Sequence, residues 1–211
     1  MYLHPINSTP IKVAFTYVDV DSEHTGRIMD FFAVKGEGEL PAIRLNSIEG
    51  GKMLKYKLET TKELHASHIV DFIRSYLSGE LKPYYRSEPT PTDWEKEAVR
   101  VLTGENFDRV VKESGKHVMV DFYASWCVHC KQLEPIWEEL AEKYKDNSSV
   151  IIAKIDAIAN ELPEMDVHAF PAIKLFPAGG DVTDIDKGID YNGPRTVEGL
   201  SKFIDSHIHK A

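Results

Sequence analysis

Cysteine is nearly absent from this chain: there are two in 211 residues, both inside the stretch "WCVHCK" at positions 126–131. Two cysteines three apart cannot supply a disulfide framework for a chain of this size, because a bridge stabilises chiefly by closing a long loop in the unfolded state. Long apolar runs are missing too. No segment approaches the roughly 18 uninterrupted apolar residues that a spanning helix needs. The opening "MYLHPINSTP" also lacks the charged and apolar regions of a secretory leader, so a soluble chain is expected. Positive charge is in deficit: 25 Lys and Arg against 34 Asp and Glu leave a formal net charge of −9, and no basic run breaks the pattern. That argues against a nucleic-acid binder, whose affinity comes mainly from clustered Lys and Arg.

What is present points to two domains, since 42% hydrophobic residues over this length can build two ordinary cores. "LPAIRLN" at residues 40–46 recurs as "FPAIKLF" at residues 170–176. Ahead of each lies a strand-like run ending in Asp, "IKVAFTYVDVD" and "SVIIAKIDA", and then a short helical stretch. After each come a turn, another strand and an amphipathic helix, so the shared order is β-α-β-β-α. In the two final helices Ile69, Phe72, Ile73, Tyr76 and Leu77, and Val197, Leu200, Phe203, Ile204 and Ile208, fall at helical spacing. Each stripe is expected to face a sheet.

Between the copies, "SGELKPYYRSEPTPTDWEKEA" sets Pro83, Pro89 and Pro91 among charges and reads as a linker. Its Tyr84, Tyr85 and Trp94 suit packing against a neighbouring apolar surface. The second copy is preceded by a strand near 99–102, a helix near 107–113, a central strand "HVMVDFYA" and a long helix over 127–145. Together these give βαβαβαββα, whereas the first copy has only residues 1–10 in that place. Sequons at Asn7 and Asn147 would accept glycans in a secretory compartment.

Residues 118–123 are apolar except for Asp121, as in a strand covered on both faces, and feed straight into a helix at Cys127. A thiol at a helix N-terminus meets unpaired N–H groups and the positive end of the macrodipole, which favour thiolate. Cys127 is therefore the expected nucleophile. Cys130, one turn later on the same face, can close a short-loop disulfide that another thiolate opens. His129 can add positive charge or donate a hydrogen bond to the Cys127 thiolate. Lowering one thiol pKa by about two units stabilises the reduced form by roughly 2.7 kcal/mol. That is about 60 mV for a two-electron couple, which makes the dithiol an oxidant.

Asp121 has two readings, a carboxylate turned to solvent or a buried acid with a raised pKa that exchanges protons beneath Cys130. Its apolar neighbours favour the second, with Lys154 of "IIAKIDA" as the expected buried partner. A zinc site needs four ligands, and a lone C-x₂-C supplies two. His117, His129 and His168 could complete it, but no second pair lies at useful spacing, and no local signal ties His4, His207 or His209 to the cysteines. No metal is expected.

"VDFYASWCVHCKQLEPIWEELAEKY", followed in order by "AKIDA", "HAFPAIKLF" and "YNGPRTVEGL", resembles the catalytic-domain signature of the protein disulfide isomerase family, in the thioredoxin superfamily. The resemblance runs from Val99 to His209. It implies an α/β fold: a thioredoxin-like three-layer α/β/α sandwich at residues 99–211, one complete catalytic domain. Ahead of it would stand a linker, residues 83–98, and a partial non-catalytic, substrate-binding thioredoxin-like domain, residues 1–82. The missing half of that first domain would contain central strands, so the chain is expected to be a fragment.

The resemblance also implies roles. Cys127 would attack substrate disulfides, Cys130 would resolve the mixed disulfide, and Asp121 with Lys154 would move the proton. Arg195 matches a mobile arginine that lowers the pKa of Cys130. Pro171 would be a cis-proline facing the cysteines, and with Trp126 would contact substrate. Phe31 and Phe32 of "IMDFFAV" match positions lining an apolar peptide site, and Trp94 resembles a linker aromatic that caps it. Three positions depart from the family pattern: Val128 stands for a glycine, Ser125 for a proline and Asn46 for an apolar residue.

The implied activity is formation, reduction and rearrangement of disulfides in unfolded or misfolded client polypeptides in the endoplasmic reticulum lumen. Glutathione or a thiol oxidase would be the redox partner, with no cofactor, nucleic acid or membrane span. Two other readings stay open: a thioredoxin-like disulfide reductase, and a chaperone-like peptide-binding module whose cysteines are incidental.

Overall fold

The computed structural model describes residues 12–22, 25–59, 63–163, 165, 167–179 and 188–208. These fall into two compact units: the described residues up to Asn46 with Tyr56–Leu81, and Ser47–Lys55 with residues from Lys82 onward. The sequon at Asn7, and His4 and His209, lie outside the described residues.

The first unit contains helix α1 (Gly26–Phe31), one 3₁₀ turn (Glu37–Glu39), the outer ends of the strands β1 (Arg44–Glu49) and β2 (Lys52–Lys57), and helix α2 (Ala66–Leu77). The two strands form a hairpin whose turn glycines, Gly50 and Gly51, both have positive φ, 57° and 80°. That conformation matches the right-handed twist of paired strands, and residues with a Cβ adopt it at a cost. Tyr56 and Phe72 are buried, and Tyr56 meets Tyr76 edge-on at 5.1 Å, so the stripe of α2 does pack toward the hairpin. Leu77, at the helix end, stays exposed.

The strand expected over residues 11–21 is not formed in the part described. Residues 12–19 carry no strand assignment, and Phe15 and Tyr17 are 73% and 89% exposed. A β-prone segment becomes a strand only when a neighbour pairs its N–H and C=O groups. Among the described residues none pairs with this one.

The second unit has strand β3 (Val99–Leu102), helix α3 (Phe107–Val111), strand β4 (His117–Tyr123), helix α4 (Val128–Tyr144) and strand β5 (Val150–Asp156). Strands β6 (Ala172–Phe176) and β7 (Ile189–Asp190) and helix α5 (Val197–Ile208) follow. The sheet order is β3-β5-β4-β6-β7. β3, β5 and β4 run parallel, and β6 and β7 are antiparallel additions at one edge.

Alternation along the strands divides the core into two layers. Met119, Ile152, Ile173 and Leu175 pack with Leu133, Trp137 and Leu140 of α4 and Leu200 and Ile204 of α5. Val118, Val120, Phe122, Ile155 and Phe176 pack on the other face with Phe107, Val110 and Val111 of α3. The result is a three-layer α/β/α sandwich with β4 at its centre, which is why β4 is apolar on both faces. The Trp137 indole N–H donates to the Ala153 carbonyl at 3.0 Å, and the Tyr144 hydroxyl donates to Asp205 at 2.7 Å, tying α4 to β5 and α5. Leu140 is fully buried between α4 and the sheet. Leu140→Ala is expected to cost about 2–5 kcal/mol in chemical denaturation, from lost burial and the cavity left behind.

A helix was also expected after β5, and there the described residues form turns instead. The Asp156 side chain accepts the N–H groups of Ile158 and Ala159, and Asn160 N–H closes a single turn on the Asp156 carbonyl. Local side-chain acceptors of this kind compete with helix propagation, and Pro163 follows. The buried Asn160 side-chain oxygen accepts from the N–H groups of Glu88 and Gly104, and Glu161 accepts from Arg86 N–H. The proline-rich linker is thereby fastened to the second unit without regular structure of its own. The two PAI repeats share one further feature, a cis peptide at Leu40–Pro41 and at Phe170–Pro171.

Candidate active site

β4 ends at Tyr123, three residues turn the chain, and α4 begins at Val128 with Cys127 as its N-cap. Cys127 is in extended backbone conformation, as an N-cap must be, and its Sγ accepts the N–H of Cys130 at 3.1 Å. Cys127 and Cys130 are joined as a disulfide, their Cα atoms 5.3 Å apart. Both are buried, and with Ala124 they form a small apolar cluster against which Tyr123 and Phe170 pack. Around this cluster the rim is open: Trp126 is 67% and Val128 65% exposed, and His129 is exposed.

Residues distant in sequence converge here. Phe170 meets the Trp126 ring edge-on at 5.9 Å, and the peptide that follows it is the cis bond to the buried Pro171. Arg195, in the turn before α5, donates from Nη2 to the Pro171 carbonyl at 3.2 Å. Beneath Cys130, on the α4 side of the sheet, Asp121 is only 5% exposed and its Oδ1 has no hydrogen-bond partner among the described residues. A cavity of about 160 Å³ is lined by Asp121, Cys130, Glu134 and Lys154, among others.

Burial pushes the Asp121 carboxyl up to about 7, and the Glu134 carboxylate adds to the rise. The cations Lys154 and Arg195 pull the other way without offsetting the loss of hydration. Lys154 stands opposite Asp121 in the strand register, so the expected neighbour is present. The expected buried pair is not: the Lys154 ammonium is paired with Glu134 at 3.4 Å, and its side chain is 29% exposed. Pairing at the rim leaves both charges partly hydrated, whereas a pair with Asp121 would bury two.

Cys127, Cys130, Asp121, Lys154, Arg195, Pro171, Trp126 and His129 all belong to the second unit, clustered around the N-terminal end of α4. Trp94 belongs to the same unit but packs against the α3-side core, with the Arg109 guanidinium 5.3 Å from its ring. Phe31 and Phe32 lie in the first unit, their rings edge-on at 4.8 Å, with Phe31 40% exposed. Sequence reading missed Glu134, although its place seven residues after Cys127 puts it on the same helical face. It also missed Phe170 and Tyr123 as walls of the cysteine cluster. Of the histidines considered for zinc, His117 is buried and its Nδ1 accepts the Ala178 N–H at 3.3 Å. Among the described residues no group of three or more His, Cys, Asp or Glu is arranged to hold a metal, and no helix is long and apolar enough to cross a membrane.

Residues 98–206, just over half the chain, match the family described as thioredoxin. The chain belongs to the thioredoxin family. Its relatives there include the protein disulfide-isomerase of Gallus gallus, 45% identical over 195 residues that make up 92% of this chain and 36% of that one. The protein disulfide-isomerase of Drosophila melanogaster is 41% identical over 210 residues, 98% of this chain and 41% of that one. These relatives assign the chain to the protein disulfide-isomerase group of the thioredoxin family, and it spans less than half of their length. Among solved structures, the first thioredoxin domain of mouse protein disulfide-isomerase A4 is similar at 35% identity and a TM-score of 0.45, over 56% of this chain and 84% of that one.

Proposed function

We propose that this chain forms, reduces and rearranges disulfides in unfolded or misfolded client polypeptides through the Cys127/Cys130 dithiol. The observation that carries the reading is a buried cysteine pair at a helix N-terminus beside a buried, elevated-pKa carboxyl. In the reductive direction the Cys127 thiolate attacks one sulfur of a client disulfide. A Cys127–client bond forms and the other client sulfur leaves as thiolate. Cys130 then gives its proton toward the Asp121 carboxylate and attacks the Cys127 sulfur, closing the Cys127–Cys130 bridge and releasing the second client thiol. Read backward, the same steps oxidise a client dithiol.

His129 and Arg195 supply positive charge to the two sulfurs in turn, and Lys154 serves the same proton path as Asp121. Pro171 and Trp126 receive the client backbone beside the bridge. Residues 1–82, as a substrate-binding thioredoxin-like domain, offer Phe31 and Phe32 to apolar client segments. Residues 99–211 form the catalytic domain. The compartment is the endoplasmic reticulum lumen, where glutathione or a thiol oxidase restores the active form.

Equilibration of the chain in glutathione buffers, following the Cys127–Cys130 bridge by thiol alkylation, tests the reading. A reduction potential near the general value for disulfide isomerases, about −180 mV, is expected. One near −270 mV, about that of thioredoxin, would mark a reductase instead. Client binding and rearrangement that persisted in Cys127→Ser would mark a peptide-binding module.

A further inference from the structure

Resting on the exchange chemistry above, we propose that Glu134 is a positioning residue of this site. It holds the Lys154 ammonium at the rim of the cavity and so leaves Asp121 without a bonded cation, free to carry the Cys130 proton.

Three geometric facts carry this. Asp121 and Lys154 are register partners on the adjacent parallel strands β4 and β5, so their side chains leave the sheet on the same face. Yet the Lys154 ammonium bonds Glu134 Oε1, at 3.4 Å, while Asp121 Oδ1 is buried with no hydrogen-bond partner among the described residues. Glu134 lies one helical turn beyond Cys130 on α4 and borders the same 160 Å³ cavity as Asp121, Cys130 and Lys154. That volume exceeds the roughly 10–15 Å³ one water needs, so the cavity has room for water between the groups that line it.

The competition has a physical direction. Glu134 is 54% exposed on its side chain, so a lysine paired there keeps part of its hydration. Without that carboxylate, the acid that stands opposite Lys154 in the strand register and shares its cavity is Asp121. The other charged or titratable groups around the cavity are Lys131 and Glu138 from α4 and the Tyr123 phenol from β4, with Arg195 acting on Asp121 from the turn before α5. The rise in the Asp121 pKa that burial causes, and to which Glu134 adds, agrees with this arrangement.

The test is a ¹³C NMR titration of the Asp121 carboxyl in the full chain with its disulfide closed, comparing the parent with Glu134→Gln. Position 134 is half exposed, so the change spares the core. The Asp121 midpoint is expected to fall by about one pH unit or more as Lys154 turns to it. The pH profile of glutathione exchange should shift the same way.

In a Lys154→Met background, Glu134→Gln should lower the midpoint much less than it does alone, because no lysine remains to be released. An unchanged midpoint in Glu134→Gln, or an equal drop in both backgrounds, overturns the positioning role. The titration needs no turnover, so a parent chain inert toward glutathione would sink the exchange reading while leaving this result separately readable.

Discussion

Asp121→Asn is expected to stabilise the second unit at pH 8, to leave it nearly unchanged at pH 4, and to slow resolution of mixed disulfides. The sign follows from where the proton sits. Burial raises this carboxyl from its usual 3.8 to about 7 in the folded chain. Well below pH 4, folded and unfolded forms both approach full protonation, and at pH 4, where the unfolded carboxyl is only part ionised, the group still contributes little. Between about 4 and 7 the unfolded chain releases its proton first, so the folded state holds more protons and loses stability as pH rises. Above 7 the loss is complete.

A shift of this size, at about 1.4 kcal/mol per pH unit, corresponds to an upper limit on the order of 4 kcal/mol. Urea denaturation of parent and variant at pH 4 and pH 8 would read the difference, and parallel pH dependence in the two proteins would rule the assignment out. The cost in function is separate. Asparagine cannot accept the Cys130 proton, and loss of one positioned base typically costs about 10² in rate or more. A residue that lowers stability at the working pH and speeds the reaction marks a functional site.

Cys130→Ser should accumulate a mixed disulfide with client or glutathione, whereas Cys127→Ser should form none and fall to the uncatalysed background. The asymmetry comes from the ends of one helical turn. Cys127 is the N-cap of the 17-residue α4 and already accepts the Cys130 N–H through its sulfur, so a thiolate there gains a hydrogen bond and the dipole. Cys130 lies inside the helix, over the cavity that holds Asp121, and needs a base to ionise. Non-reducing electrophoresis or intact mass after incubation with oxidised glutathione would show an adduct of one glutathione on Cys130→Ser. Equal adducts on both variants would mean that the roles are not divided in this way.

Much of this site was legible in the linear pattern because its parts are local. Cysteines three apart at the end of an apolar strand place one sulfur at a helix N-cap and the other a turn later, whatever the rest of the chain does. Asp121 stood out because it interrupts a strand otherwise apolar on both faces, and its burial follows from that context. The stripe of α5 and the proline-rich linker were readable for the same reason: each depends on spacing or on the backbone limits of one residue type.

Other features depended on partners far away in sequence. The β-prone residues 12–19 stay unpaired in the described structure because propensity does not create a neighbour, and the turn after β5 forms because Asp156 and Asn160 find backbone donors in place of helical ones. Trp94 carries no mark in the sequence that would direct it to the α3-side core and Arg109.

By itself, the amino-acid sequence determined the close cysteine pair and the strand-to-helix junction that carries it, and it favoured a buried acid at Asp121. These follow from periodicity and from chemistry within a few residues. Only the tertiary structure decided that Lys154 pairs with Glu134 rather than Asp121, and that Arg195 reaches the Pro171 carbonyl. Such choices are settled by competition among charges brought together from four elements, where hydration lost on burial outweighs nearness in the strand register.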